Sequence, residues 1–409
     1  MSPRICCLDL DTFFVSVERL LDPTLEGKPV VVGAMPGNRG VVTACSYEVR
    51  VFGVHSGMPI SEAVRLAPGA IFLPGRFSEY SPYSKRVREI VERFTPQVQA
   101  ASIDEFYLDF SGCERLYARP GDPDADATIE RVVNEMRTAI KEETGLPCSA
   151  GIGVSRTIAK VASGRAKPAG TLMVRQGQER AFLAPLPVRK LPGIGPVTEA
   201  RLLQDGLTHL SQLMELPPGL NARWRRLAER IESCCLPSKR VTRDRPAFRE
   251  HDPEGLAVGS ISNERTFSAD EGDEARIAEQ LLKLTERVCH RARKRGIRAR
   301  TITLKLRYAD FQTLSRSRTI HPTNSEVAVH ATVRELYALA RTRQKAVRLL
   351  GVGLSNLMGP DRQLALPFTG GPRDRRRPDK GQALDAVRAR FGYEAVRLGS
   401  TKGSNSWLA

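Results

Sequence analysis

Long apolar runs are absent from this sequence of 409 residues. No stretch approaches the ~20 apolar residues that a membrane-spanning helix needs, so we expect no membrane-embedded segment. The first residues, MSPRICCLDLDTFF, lack the charged head and small-residue cleavage site of a secretion signal. The eight cysteines form no C-x-x-C pair and no dense framework, which favours free thiols over zinc sites or disulfides. These absences predict a cytoplasmic protein.

Acidic residues are scarce relative to basic ones. Asp and Glu number 46 against 63 Lys and Arg, which gives a net charge of +17. The imbalance is uneven, because residues 286–320 contain eleven Lys or Arg and only two acids. Such a local excess favours a polyanionic partner, nucleic acid before an acidic membrane surface.

Apolar and polar side chains alternate within the same basic region. The alternation predicts a strand with one buried face and one face that offers hydroxyls and cations to a phosphate backbone. The buried face would consist of Ile302, Leu304, Leu306 and Tyr308, and the polar face of Thr301, Thr303, Lys305 and Arg307.

The chain is too long for one core, and at ~150 residues per domain about three domains are expected. Short apolar strands alternate with helical patterns in its first part, which indicates an α+β core. These patterns are a strand at 3–10, a helix at 84–96 that stops at Pro96, a hairpin around VQAASIDEFYLDF, a helix at 126–144 and a strand at CSAGIGVS. A polar, charged stretch at 237–256 is interpreted as a linker, followed by a second α+β unit at 257–357. From 359 the chain is rich in Pro, Gly and Arg and is expected to be mobile before the helical pattern ALDAVRARFG.

Three acids interrupt segments that otherwise have strand character. Asp9 lies near the end of ICCLDL, and Asp104 and Glu105 divide VQAASIDEFYLDF. A strand core disfavours charge, so these acids need partners, and hard oxygen ligands suit Mg²⁺. Two such ions about 4 Å apart can activate a 3′-hydroxyl and steady a leaving pyrophosphate. Any one of these acids alone would more often lie in a turn or pair with Arg.

Four longer motifs occur in order along the chain: LDLDTFFVSVE (8–18), SYEVRVFGVHSGMP (46–59), SIDEFYLD (102–109) and GIGVSRTIAKVASGRAKPAG (151–170). Together they closely resemble the palm and fingers of Y-family DNA polymerases, specifically the DinB or polymerase IV type. The likeness continues through LPGIGPVTEARL (191–202), SISNERTFSAD (260–270), QLALPF (363–368) and AVRARFG (386–392), so it covers nearly the whole chain.

The resemblance implies an α+β multidomain protein shaped as a right-hand polymerase. Its expected parts are a palm of mixed sheet plus helices at 1–10 and 75–168, fingers at 11–74, a helical thumb with a helix-hairpin-helix at 169–236, the linker at 237–256, an α+β little finger at 257–357, and a flexible tail with a clamp-binding peptide at 358–409. The implied activity is low-fidelity translesion synthesis by a monomer, which adds deoxynucleotides to the 3′-OH of primer–template DNA without proofreading.

Site residues follow from the resemblance position by position. Asp9 and Asp104 match the carboxylates that bridge two Mg²⁺ ions, and Glu105 matches the acid beside the primer-terminus metal. The carbonyl of Leu10 would be a further ligand. Asp11 belongs to the motif without being a ligand, and a capping or turn role is expected for it.

The incoming deoxynucleoside triphosphate has its own matching residues. Tyr47 and Arg50 in the fingers and Lys167 in AKPAG match the groups that bind its β- and γ-phosphates, a hydroxyl, a fork-shaped guanidinium and a point cation. Phe14 matches the steric gate, whose ring would clash with a ribose 2′-OH. Phe13 is expected to be ordinary core.

Two positions near this set are less well defined. Lys160 lies one helix face away from Lys167 and is expected to be structural or to face DNA. Val51 departs from the family, which usually has Lys or Arg before Phe52–Gly53. The change removes one cation and should weaken template or nucleotide contacts without abolishing chemistry.

The expected DNA contacts lie in two segments. In LPGIGPVTEARL, Gly193 and Gly195 would let a hairpin turn approach a phosphate closely, although PGIGP alone is equally compatible with a tight turn between helices. In the little finger, Lys305 and Arg307 would track the template backbone.

The peptide QLALPF is conspicuous because it is apolar within a polar segment. Gln363, Leu364, Leu366 and Phe368 resemble the peptide that plugs a pocket on the bacterial sliding clamp, the β subunit. Pro367 extends the commonest form by one residue. The alternative is a strand fragment that packs on its own domain.

Other functions remain to be weighed against polymerisation. A catalytically inactive Y-family relative acting as a clamp-bound adaptor should lack one of the three acids, and all are present. A simple DNA-binding module would have no use for Tyr47, Arg50 and Lys167. A nucleotidyl cyclase would explain the metals but not the steric gate, the hairpin or the clamp peptide.

Overall fold

The computed structural model describes residues 3–216, 218–237, 259–342, 345–359 and 380–397. They divide into two compact units, Met1–Pro36 with Gly40–Ala247 and Gly37–Arg39 with Phe248–Ala409. The strands are β1 (Ile5–Leu10), β2 (Val30–Gly33), β3 (Val42–Cys45), β4 (Ile71–Pro74), β5 (Val98–Ala100), β6 (Glu105–Asp109), β7 (Cys148–Gly153), β8 (Thr171–Met173), β9 (Ser260–Glu271), β10 (Arg298–Tyr308), β11 (Thr313–Thr323) and β12 (Val347–Met358).

The helices occupy the connections between these strands and the segments around them. They are α1 (Phe13–Leu21), α2 (Tyr47–Arg50), α3 (Ile60–Leu66), α4 (Phe77–Val91), α5 (Glu114–Tyr117), α6 (Ala125–Thr144), α7 (Arg156–Ala166), α8 (Glu179–Leu183), α9 (Pro196–Gln204), α10 (Leu210–Met214), α11 (Asn221–Cys235), α12 (Glu274–Lys294), α13 (Glu326–Ala340) and α14 (Lys380–Phe391). Within the described ranges no helix is long and apolar enough to cross a membrane.

The first unit is built on a five-stranded mixed sheet in the order β5-β6-β1-β7-β8. Strand β1 lies at its centre, pairs antiparallel with both β6 and β7, and has its apolar residues buried on both faces. Cys6 and Leu8 pack with α6 on one face, whereas Ile5 and Cys7 lie on the other face with Ala159 of α7. Since side chains alternate along a strand, Asp9 belongs to the α7 face.

Helix α7 approaches the sheet very closely, and a glycine makes this possible. A Cβ atom at Gly151 of β7 would lie 2.0 Å from the Ser163 amide nitrogen and 2.1 Å from the Ala159 carbonyl oxygen. No side chain larger than hydrogen fits there, so GIGVS sets the distance between α7 and the central strands.

Two smaller parts complete the first unit. Strands β3-β2-β4 form a three-stranded sheet that packs with α2 and α3 around Val31, Val42 and Ile60. Helices α8 to α11 enclose a separate apolar cluster that includes Leu202 and Leu210.

The sequence-based expectations for the first unit are largely met. The strand at 3–10, the hairpin around Asp104 and the helix at 126–144 are found as β1, β5–β6 and α6. The helix expected at 84–96 is longer at its start and shorter at its end, since α4 begins at Phe77 and ends at Val91.

The second unit is an antiparallel sheet in the order β11-β10-β12-β9, packed against α12 and α13. The predicted alternation in β10 is confirmed, because Ile302, Leu304, Leu306 and Tyr308 are fully buried and the residues between them are not. One face of the sheet therefore forms the core with the helices, while the opposite face is polar.

Residues 380–397 differ from the flexible tail expected over 358–409. Helix α14 packs on the second unit, and Arg388 is buried there with its guanidinium 3.2 Å from Glu286 of α12. Arg293 bonds Asp385 and Glu326 in the same cluster. The linker beyond Pro237 and the peptide QLALPF lie outside the described residues.

Candidate active site

Three strands bring the predicted acids to one end of the first sheet. Asp9 of β1 is the cross-strand partner of Glu105, the first residue of β6, and of Ser149 in β7. The Leu10 amide donates to the Asp104 carbonyl at 2.9 Å, which holds the hairpin turn against β1. Ser102 fixes that turn, since its hydroxyl bonds the Asp104 carboxylate and accepts from the Glu105 amide at 3.0 Å.

Two lysines from α7 and its C-terminal cap neutralise this end of the sheet. Lys167 forms an ion pair with Asp9, and Lys160 forms one with Glu105. Lys160 was expected either to be structural or to face DNA. The second pair places its ammonium at the acid cluster. Sequence reasoning missed this contact, although Lys160 and Lys167 are seven residues apart, about two helical turns.

The acids respond differently to their surroundings. Burial raises the pKa of Asp9, and the nearby charges of Asp104 and Glu105 raise it further against the opposing effect of Lys167. Burial also acts to raise the pKa of Glu105, but the hydrogen bonds from Lys160, Tyr107 and Cys7 together with the charge of Lys160 outweigh it, and the pKa falls. Asp9 therefore keeps a raised pKa mainly because it is buried, although Lys167 lies beside it.

This end of the sheet fits a hard cation chemically. Carboxylate oxygens of Asp9, Asp104 and Glu105 are the donors that Mg²⁺ prefers, and their mutual repulsion favours an added positive charge. Within the described part of the chain, no three His, Cys, Asp or Glu residues already converge as a metal-binding group. Divalent ions would therefore have to draw Asp9 and Glu105 away from their lysines.

Of the two roles expected for Asp11, the turn is found and the helix cap is not, because Asp11 lies in the turn before α1 and Thr12 is the N-cap. Asp11 is 1% exposed, and its carboxylate accepts hydrogen bonds from the Ser149 hydroxyl at 2.8 Å and the Ala169 amide at 2.8 Å. The Tyr47 hydroxyl also donates to it at 3.4 Å. Helix α1 has Thr12 at its N-cap without a side-chain cap bond. Asp11 instead joins β7, the AKPAG loop and α2.

The candidate phosphate-binding residues of the fingers lie on the short helix α2. Arg50 is exposed, and its guanidinium stacks over the Tyr47 ring with 4.9 Å to the ring centroid. Burial and the neighbouring charge of Asp11 raise the pKa of Tyr47 to about 12, so its hydroxyl stays a proton donor at neutral pH. Val51 is 79% exposed beside Phe52 at 54%, which leaves an apolar tip where the family usually has a cation.

Phe14 is held rigidly by other aromatic rings. Its ring stacks on Tyr80 with centroids 4.4 Å apart and 19° between the planes, and Phe77 meets it edge-on at 5.4 Å. Tyr80 is itself fixed, because its hydroxyl donates to the buried carboxylate of Glu18 at 2.5 Å. Phe13 is 3% exposed and belongs to the core, as expected.

The predicted DNA contacts occupy two separate places in the structure. Gly193 has φ +89° in the turn before α9, and the Arg230 guanidinium lies against it and donates to the Pro192 carbonyl. The helix-hairpin-helix turn therefore carries a cation that the sequence motif did not reveal. In the second unit, Lys305 is paired with Glu264 and Arg307 donates to the Thr313 hydroxyl at 2.8 Å.

Comparison with family models gives three matches along the chain. The impB/mucB/samB family matches residues 8–164, its C-terminal domain matches residues 258–366, and the HHH motif of the IMS family matches residues 178–207. The last range contains Gly193 and Gly195.

Comparison with curated proteins and solved structures gives matches over most of the chain. The chain is 36% identical over 401 residues to DNA polymerase IV of Dehalococcoides mccartyi, covering 97% of each, and 39% identical over 359 residues to DNA polymerase IV of Streptomyces coelicolor, covering 87% of this chain and 71% of that protein. A Y-family DNA polymerase chimera of Dbh and Dpo4 matches with TM-score 0.71 and 25% identity, and DinB from Sulfolobus solfataricus with TM-score 0.55 and 26% identity. Both matches cover 87% of this chain and 99% of the other.

The position of Asp11 generates a prediction about stability. Asp11→Ala should lower the free energy of unfolding of the first unit by about 2–4 kcal/mol, because the Ser149 hydroxyl and Ala169 amide lose a buried charged acceptor. Urea unfolding measures the free energy, and hydrogen–deuterium exchange should show faster exchange at the Ala169 amide. Asp22→Ala is the matched control, since Asp22 is exposed at the opposite end of α1 and its carboxylate bonds the neighbouring Thr24. Equal stability losses in both variants would contradict a central role for Asp11.

Proposed function

This chain belongs to the impB/mucB/samB family, and from that premise we propose that it is a template-directed DNA polymerase of the translesion type. It transfers deoxynucleotides to a primer 3′-OH and releases pyrophosphate. The observation that carries the proposal is the pairing of Asp9 with Glu105 across β1 and β6, with Asp104 in the adjoining turn and two lysines at the same end of the sheet. A solely DNA-binding protein has no need of repelling acids at such a place.

The acids are proposed to hold two Mg²⁺ ions. Asp9, Asp104 and Glu105 would supply carboxylate ligands to them, and Leu10 its carbonyl oxygen. Ions held there would supply positive charge that lowers the pKa of a primer hydroxyl and neutralises a leaving pyrophosphate. Ser102 contributes by holding the Asp104 carboxylate and the Glu105 backbone in fixed relation.

Tyr47, Arg50 and Lys167 are proposed to bind the triphosphate of the incoming nucleotide. Tyr47 donates a hydroxyl that stays protonated, Arg50 is exposed on α2 and able to fork around two oxygens, and Lys167 supplies an ammonium. Lys167 is paired with Asp9, so its transfer to a phosphate would free that carboxylate. Phe14, fixed between Tyr80 and Phe77, would meet the sugar and exclude a 2′-OH.

The remaining parts are proposed to hold DNA and a processivity partner. We propose the following domains: palm (1–10 and 75–168), fingers (11–74), thumb (169–236), linker (237–256), little finger (257–357) and tail (358–409). Within the tail range, α14 belongs to the second compact unit. Gly193, Gly195, Lys305 and Arg307 would contact the DNA backbone. A bacterial sliding clamp would bind Gln363, Leu364, Leu366 and Phe368. We propose a monomer that works in the cytoplasm without proofreading.

The metal assignment predicts the effect of one conservative change. Asp104→Asn should reduce nucleotide addition at least about a thousandfold while DNA binding stays within about twofold, because the amide cannot supply the ligand charge. Primer extension with Mg²⁺ and four deoxynucleotides measures nucleotide addition. Fluorescence anisotropy of labelled primer–template measures DNA binding. Asp22→Asn is the matched control. Asp22 is exposed and is the N-cap of the short helix Pro23–Leu25, a position that Asn also favours. Near-parental extension by folded Asp104→Asn protein would exclude Asp104 as a ligand.

The rigid placement of Phe14 predicts its effect on sugar choice. Phe14→Ala should raise the ratio of ribonucleotide to deoxyribonucleotide incorporation by at least about tenfold, since room opens where the 2′-OH would lie. Single-nucleotide insertion with matched ribo- and deoxy-substrates gives the ratio. Phe77→Ala removes a ring from the same cluster and should change the ratio far less. An unchanged ratio in active Phe14→Ala protein assigns the gate to another residue.

The clamp peptide gives a prediction that separates binding from chemistry. Replacing Gln363, Leu364, Leu366 and Phe368 together with Ala should spare extension of short linear primers but remove stimulation by a loaded clamp on long templates. The peptide works by raising local concentration rather than by touching DNA, so clamp-free DNA affinity and its salt dependence should not change. Stimulation equal to that of the parent would place the clamp contact elsewhere in the chain.

A further inference from the structure

The open face of the sheet in the second unit is almost neutral. Helices α12 and α13 cover the other face, so this face has no packing partner within the described residues of the unit. Its side chains form four cross-strand rows: Ser260, Ser355, Thr301 and Thr319; Ser262, Gly353, Thr303 and Ser317; Glu264, Gly351, Lys305 and Ser315; and Thr266, Leu349, Arg307 and Thr313. Hydroxyls and small residues dominate, and in these sixteen positions, all described, Glu264 is the only acid.

Glu264 is bound to a cation two strands away. Strand β12 lies between β9, which carries Glu264, and β10, which carries Lys305. The Lys305 Nζ atom nevertheless lies 2.8 and 2.9 Å from the two carboxylate oxygens of Glu264. The pair crosses above Gly351, where a Cβ atom would lie 2.9 Å from Glu264 Cγ and 3.3 Å from Lys305 Cβ. A glycine in the intervening strand thus makes room for the ion pair.

The pair is open to competition from an external polyanion. The side chains of Glu264 and Lys305 are 40% and 35% exposed, and ion pairs of this exposure contribute little to folding. A phosphate that bonds Lys305 competes with Glu264 for the three N–H donors of an ammonium that already bonds both carboxylate oxygens. The carboxylate remains on the same face as the phosphate and repels it.

We propose that Glu264 is an internal counter-ion for Lys305 that weakens the hold of this sheet on DNA. It sets both the affinity for the phosphate backbone and the steepness with which binding falls as salt rises. The inference rests on the proposed polymerase function, and it adds a residue that limits how long the enzyme stays on primer–template DNA. An acid at the centre of a DNA-holding face favours release.

The test compares two Glu→Gln changes in the full chain. Glu264→Gln should tighten binding of labelled primer–template about three- to tenfold near 0.1 M salt. It should also steepen the plot of log Kd against log salt by about one unit, because Lys305 now replaces a counter-ion on the DNA. Glu335→Gln is the matched control. It removes the same charge from α13, where Glu335 pairs with Arg318 of β11, and should change the Kd by less than about twofold.

A second change identifies the partner of Glu264. Lys305→Gln should weaken binding in the parent, and in the Glu264→Gln background it should cancel the gain and return the affinity to near the parental value. An unaltered Kd and salt slope in Glu264→Gln, or an equal gain in Glu335→Gln, would overturn the inference. If the parent neither binds primer–template nor extends a primer, the polymerase proposal itself fails. If the parent does both and Glu264→Gln behaves like it, only the role of Glu264 fails.

Discussion

Repulsion between neighbouring carboxylates is the constraint on which the first unit depends. A buried central strand places Asp9 beside Glu105, and the hairpin bond to Leu10 adds Asp104. Such a group is stable only with cations close by, and α7 supplies them through Lys160 and Lys167. The two lysines reach the acids because Gly151 lets α7 lie directly on the sheet. Fold and charge balance are therefore set by the same close approach.

A second layer of buried acids connects this cluster with the substrate-facing residues. Asp11 accepts bonds from β7, the AKPAG loop and Tyr47, so the loop that carries Lys167 and the helix that carries Arg50 share one anchor. Glu18 plays a similar part for the aromatic cluster, since it holds Tyr80 beneath the Phe14 ring. Asp11 thus supports the segments that carry the proposed phosphate-binding residues, and Glu18 supports the proposed sugar-facing ring through Tyr80.

The second unit balances its charges in a different way. Its interior joins α14 to α12 through the buried Arg388–Glu286 pair, and breaking such a pair from one side leaves an uncompensated charge in the core. Its outer face is polar and carries the Glu264–Lys305 pair in the open. The strong excess of basic residues in this region is consequently not a uniform surface charge, because several cations are already committed to acids of the same unit.

Local sequence determined the elements and the composition of the site. The apolar run ICCLDL predicted a buried strand, and the alternation in residues 301–308 predicted a strand with one buried face. The order of the motifs indicated Asp9, Asp104 and Glu105 as a group. Tertiary structure alone decided which cation meets which acid. The ion pairs join residues that are far apart in the sequence. The separations are 55 positions for Lys160 and Glu105, 41 for Lys305 and Glu264 across an intervening strand, and 102 for Arg388 and Glu286. No periodicity encodes such pairs, because they depend on how sheets and helices pack. The same reason applies to Asp11. Its motif position suggested a capping or turn role, but only the packing of the first unit made its buried carboxylate the acceptor for three distant segments.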